Sequence, residues 1–204
     1  MPQGKFTLSA PALPETVTSE DGKEYGIDPD SRTVLACLER LADPDAEDLS
    51  KALFVAARFY KGNPPPDMWP LFERFLLCGE GPADGEDDPV MDFEQDADAI
   101  YSSFRQQYGI DLIREKLHWT EFRLLLRGLC ENTKFGELLK LRQLDPNDYA
   151  EKDRAKLRTL QDMVAIHPRV GLREAQLQAE LDRRLRAGED PAEIIRQLQG
   201  EQSM

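Results

Sequence analysis

Long apolar runs are missing from this chain. No stretch approaches the roughly 18 consecutive apolar residues that a membrane-crossing helix needs, and apolar residues fill only 40% of its 204 positions. Cysteine is sparse. Cys37, Cys78 and Cys130 stand far apart with no CxxC pair, which argues against a zinc site or a disulfide frame; each lies in an apolar helical pattern, so three buried thiols are expected. The two histidines, His118 and His167, are isolated. There is no Gly-rich phosphate loop, no HExxH, no GxSxG and no paired Cys-His element. No catalytic residue, metal or cofactor is therefore expected, and the chain does not read as an enzyme. His118 alone resembles a general base, and a histidine at a helix start reads better as a cap or a satisfied core group. Basic charge is also short: 26 Lys and Arg against 39 Asp and Glu leave −13. Such a chain is not expected to bind nucleic acid, because phosphate neutralisation supplies most of that affinity. A mimic of DNA is the one nucleic-acid-related role that acidity allows. The opening MPQGKFTLSAPALPETV has no unbroken apolar core of a signal peptide, so a cytoplasmic protein with no membrane partner is expected.

What is present is helical periodicity. Residues 1–12 read as a flexible arm. Asp21-Gly22, between Val17 and Tyr25 or Ile27, predicts a β-hairpin closed by a two-residue type I′ turn. Pro29-Asp30-Ser31 offers caps for a helix over about 32–42, with Val34, Leu35, Leu38 and Leu41 on one face. A second helix, over about 46–61, places Leu49, Ala52, Leu53, Ala56, Phe59 and Tyr60 at helical spacing. A third, capped by Asp67, tolerates Pro70 in its first turn and carries Leu71, Phe72, Phe75 and Leu76. Residues 13–79 thus form a hairpin plus three-helix part.

The sharpest change in composition follows. From 80 to 98 there are nine acidic residues and no basic one. A solvated linker over 80–91, running into a helix start, is the plain reading. Calcium would need Asp-x-Asp-x-Asp-Gly with Glu at the twelfth position, and that register is absent. Residues 92–166 read as a helical core module. Asp92 caps a helix with Phe93, Ala97, Ile100, Tyr101, Phe104 and Tyr108 at spacings of 3 and 4, closed by Gly109. An aromatic platform for bases would need basic flanks, so core packing is the stronger reading. Trp119, Phe122, Leu125, Leu126 and Leu129 mark the next helix, Phe135 to Leu141 a short one, and Asp145-Pro146 starts one that runs to about Ile166. Residues 167–204 form a C-terminal helical tail in two pieces. The first carries Leu177, Leu181 and Leu185, a candidate self-association stripe; the second carries Ile194, Ile195 and Leu198. The fold class expected is mainly α, a multi-helix bundle with a small N-terminal β-hairpin and C-terminal tail helices. Residues 150–204 hold ten basic and ten acidic residues, so the whole negative excess lies in 1–149.

The run Asp92-Phe93-Glu94-Gln95-Asp96-Ala97, then Ile100-Tyr101-Ser102-Ser103-Phe104, Tyr108-Gly109-Ile110-Asp111-Leu112, Leu117-His118-Trp119 and Phe122-Arg123-Leu124-Leu125, resembles the signature of the bacteriophage gene-product-fifteen family. Leu13-Pro14 before the hairpin and Tyr25-Gly26-Ile27 after it are similar in outline, and the likeness covers about 13–145. One departure is Thr120, where the family often carries a second aromatic. The resemblance implies a tail assembly chaperone of a siphophage or prophage. Its partner would be the tape-measure protein, alongside a companion tail assembly chaperone, and it would be absent from the mature virion. In that reading Tyr101, Phe104, Tyr108, Trp119 and Phe122 supply the walls of a groove for a partner helix. The alternative is a structural component of the tail or the head–tail connector. Homo-oligomers through the tail leucines are a further expectation.

Overall fold

The computed structural model describes Leu8 and residues 12–78 and 90–187. The expected arm (nearly all of it), most of the acidic linker and the last tail helix lie outside the described residues. The fold is mainly helical with one two-stranded antiparallel hairpin, as the sequence pattern predicts. Strand β1 (Thr16–Thr18) pairs with β2 (Glu24–Gly26), Val17 opposite Tyr25. The expected type I′ turn is not formed. Gly22 alone takes positive φ, at +83°, and five residues connect the strands. Asp21 instead accepts the Lys23 N–H through its carboxylate, an Asx bond that removes any need for a left-handed Asp.

Helix α1 (Ser31–Ala42) starts where expected: the Asp30 carboxylate accepts the Arg32 N–H, and Val34 and Cys37 are buried. Helix α2 (Asp48–Phe59) keeps Phe59 and the following Tyr60 of the expected stripe in the core but turns the two leucines of that stripe outward. Leu49 and Leu53 are 69% and 61% exposed, whereas Val55, Phe59 and the following Tyr60 are buried. Two residues are about 200° of helical rotation, so a helix that buries Val55 must turn Leu53 outward. Helix α3 (Met68–Leu76) buries Leu71, Phe72 and Phe75, and Phe59 meets Phe72 edge-on at 4.8 Å. Asp67 precedes it without capping, since its carboxylate accepts the Ser19 hydroxyl instead.

The signature module follows. Residues 92–96 are a turn, and α4 (Ala97–Tyr108) begins after it, so the helix starts later than the pattern predicts. Asp92 caps that turn, accepting the N–H groups of Glu94 and Gln95. Gly109 closes α4 at φ +74°. Helix α5 (Trp119–Arg127) is capped by His118, whose Nδ1 accepts the Thr120 N–H at 3.0 Å. The ring's Nε2, 3.0 Å from the Pro14 carbonyl, then carries the proton and donates it. Helix α6 (Lys134–Gln143) is capped by Thr133. A Cβ at Gly136 would sit 2.3 Å from the Cys130 carbonyl oxygen, so only glycine fits there. Asp145-Pro146 opens a 3-10 turn over Pro146–Asp148 rather than a long helix; α7 spans Glu151–Met163 and α8 spans Leu172–Arg186.

One apolar core, from Val17 and Ile27 through Phe59 and Phe75 to Phe104, Phe122 and Phe135, joins the hairpin, α1–α3 and the signature helices. An antiparallel bridge reinforces it, with Ser31 N–H on the Leu117 carbonyl and Trp119 N–H on that of Pro29. The Leu76 carbonyl at the end of α3 accepts both the Trp119 indole N–H and an Arg123 N–H. The three thiols are not alike: Cys37 is buried, Cys78 half-buried and Cys130 exposed. Burial pushes the Cys37 thiol up to about 11. Cys130 lies in the loop between α5 and α6, outside the helical stripe that the pattern assigned to it.

Candidate functional site

The acidic stretch reaching Asp98 is not uniformly solvated. Asp96 is buried, and Arg142 grips it with two N–H groups, both at 2.7 Å, the side chains being 3% and 11% exposed. Arg142 also donates to the Val164 and Val90 carbonyls, so its charge is matched on several sides. Gln95 exchanges two hydrogen bonds with the His167 backbone, and Arg169 pairs with Asp92 and Glu94, each at 3.2 Å. Burial works to raise the Asp92 carboxyl, but the Gln95 and Glu94 N–H groups and Arg169 together hold it below the usual range. The turn 92–96 is thus a polar clamp on the segment that follows α7, and it fixes Phe93 beside α4.

Beside that turn is a mostly apolar groove of about 400 Å³. It is lined by Leu35 of α1, by Ala97, Ile100 and Tyr101 of α4, by Phe93 from the turn before α4, and by Leu112 and Ile113 from the loop after it. Phe122 reaches it from α5. The loop that carries Ile113 is built by Asp111, whose carboxylate accepts the Ile113 and Arg114 N–H groups and also the Tyr101 hydroxyl. Arg32 donates to the Ile113 carbonyl. Held this way, Ile113 stands 70% exposed at the groove mouth. Asp98 is the one charged residue of the lining, and Lys134 holds its carboxyl below the usual range by hydrogen bond and charge.

The five aromatics expected as groove walls separate. Phe104 and Trp119 are core: both stack with Phe122, with ring centroids 5.4 Å and 5.6 Å away. Tyr108 is half-buried, its hydroxyl donating to the Leu125 carbonyl, and it does not line the groove. Only Tyr101 and Phe122 do, and Phe122 is itself almost wholly buried. Sequence reasoning missed Leu112 and Ile113 as site residues because they follow no helical period. The readable signal was Asp111, a residue that builds turns by accepting the N–H two positions on. On α8, Leu177 and Leu181 are half-buried and Leu185 is 40% exposed. The helix start is tied down by Asp45, whose carboxylate accepts the Leu172 N–H.

Residues 12–166, which hold the hairpin, the core and the whole groove, match the profile described as Bacteriophage Gp15 protein. The chain belongs to this family. The Gp15 match ends just before His167, so Arg169 and α8 lie beyond it while their anchors Asp92, Glu94 and Gln95 lie within. No curated protein and no solved structure matches the chain. Among the described residues no helix is long and apolar enough to cross a membrane.

Proposed function

We propose that this phage protein is a non-catalytic tail assembly chaperone that binds the tape-measure protein during tail morphogenesis in the host cytoplasm and leaves before the virion is complete. Membership of the Gp15 family supports a phage role. The observation that carries the rest is the uncovered apolar groove: Ile113 and Tyr101 face a hollow that nothing in the chain's described residues fills. A concave apolar surface on a rigid core suits the apolar stripe of an amphipathic helix, and the tape measure is a long helical protein by the family resemblance. The surplus of −13 would keep such a complex soluble and favour basic segments of the partner.

Co-expression of the tape-measure protein of the same phage, with and without this chain, tests the proposal. Soluble tape measure that co-purifies only when the chain is present is the expected result. A tape measure equally soluble either way, never co-purifying, would remove it. Mass spectrometry of purified virions supplies the second readout: abundant chain in finished particles would point to a structural tail component.

A further inference from the structure

Phe93 lines the groove from outside any helix. It sits in the turn 92–96 ahead of α4, its ring 6.0 Å from that of Trp119 and 6.1 Å from that of Phe122. The four other residues of that turn are gripped from elsewhere. Arg169 reaches Asp92 with one terminal nitrogen and Glu94 with the other, each at 3.2 Å. Gln95 exchanges its two hydrogen bonds with the His167 backbone, and Arg142 holds Asp96. The turn also closes on itself. The Asp92 carboxylate accepts the Glu94 and Gln95 N–H groups, and that of Asp96 accepts the Asp92 N–H. The residues on both sides of Phe93 are therefore tied by one guanidinium, which comes from the segment after α7. Phe93 is the one member of the turn whose side chain lines the groove.

We infer that residues 164–172 are a positioning strap for the groove, and that Arg169 sets the groove's shape by fixing the backbone on either side of Phe93. What the groove binds rests on the chaperone reading above; how it is held rests on the contacts alone. Arg169 is a positioning residue, acting through Phe93. A groove lined by a ring already held in place offers its partner a finished surface. With Arg169 removed, Asp92 and Glu94 lose their tie and the ring gains freedom, which binding must then take away again. Gln95 and Arg142 still hold the far end of the turn, so the change is one of shape at Phe93 and not of the fold. Residues 12–166, which carry the whole groove, match the family profile, and Arg169 lies past that match. The groove is thus adjusted from outside the stretch that builds it.

The test compares the full wild-type chain with Arg169→Ala, Phe93→Leu, the double variant and Arg183→Ala. Arg183 pairs with Glu180 on α8 and does not line the groove, so it controls for the lost charge. Methyl NMR of the free chain reads the groove through Ile100 and Ile113, with the core residue Ile27, outside the groove, as reference. Arg169→Ala is expected to shift both groove signals and leave Ile27 in place; Arg183→Ala is expected to move none of the three. Binding of the tape-measure protein should weaken about two- to tenfold in Arg169→Ala with little change in thermal midpoint. That loss should vanish in the Phe93→Leu background, because two residues that act through one contact are not additive. Groove signals and binding that both ignore Arg169→Ala would overturn the strap and leave the chaperone reading standing. A loss of the same size in the Phe93→Leu background would have Arg169 act without Phe93, and a collapsed thermal midpoint would make it a residue of the fold; either result overturns the strap. A wild-type chain that binds no tape measure removes the chaperone reading, and the methyl signals alone then decide the strap.

Discussion

The body of the protein and the segment that follows α7 are held by different physics. From Val17 to Phe135 the body is joined by one apolar core with rings stacked or edge-on. Residues 164–172 touch that body mainly through named polar contacts: Val164 on Arg142, His167 on Gln95, Arg169 on Asp92 and Glu94, and Leu172 on Asp45. Apolar burial is non-directional and tolerates small shifts. Polar contacts need particular atoms at particular distances. The first kind of attachment makes a domain; the second makes a segment that a few substitutions can free.

The largest effect is expected where the core is densest. Phe104→Ala removes a ring that stacks on Phe122 and meets Tyr108 edge-on at 5.6 Å, with no solvent to fill the space. A loss of about 3–5 kcal/mol is expected in urea unfolding. A loss under about 1 kcal/mol would show that the site collapses freely and that Phe104 is not the centre of the core.

Arg142→Ala is expected to come next. It leaves Asp96 buried without its partner and takes a donor from the Val164 and Val90 carbonyls; on the scale of broken buried pairs this costs about 3 kcal/mol. Replacing both groups, as Arg142→Met with Asp96→Leu, should recover part of that loss, because no unpaired charge then remains. A double variant as unstable as Arg142→Ala alone would mean that the carbonyl contacts, not the charge pair, hold the junction.

These two sites also divide what could be read from the sequence. Phe59, Phe75, Phe104 and Phe122 each sit in an apolar stripe at helical spacing on their own helix, so the mainly helical fold and much of its core were legible. Leu49 and Leu53 repeat equally well and point outward, because spacing fixes which residues share a face but not which of two apolar faces finds a neighbour. The Asp96–Arg142 pair joins residues 46 positions apart and left no local trace. In the sequence Asp96 is one acid among nine, in a stretch that runs into a helix start, and nothing sets it apart from the others. The groove was half legible: the signature marked the region, and Tyr101 and Phe122 do line it. Its mouth at Ile113 depends on the hydrogen bonds of Asp111 and Arg32, which periodicity does not report.

The smallest effect, and the finest test of the contrast, is at Arg169. Its pairs with Asp92 and Glu94 are partly open to solvent, so Arg169→Ala should change global stability by less than about 1 kcal/mol. Local stability should respond more, with faster amide exchange over 164–172 while α4 and α5 keep their protection. Acid should imitate the substitution. The Asp92 carboxyl titrates below its ordinary value of 3.8 in the folded chain, so its contribution is full above that value and is lost as pH falls through the lower folded one. Exchange over 164–172 should therefore accelerate below about pH 4, beyond the rate change set by pH itself, in the wild-type chain and much less in Arg169→Ala. Equal acceleration in both would mean that Gln95 and the His167 backbone hold the segment without help from charge, and the attachment would then be polar but not ionic.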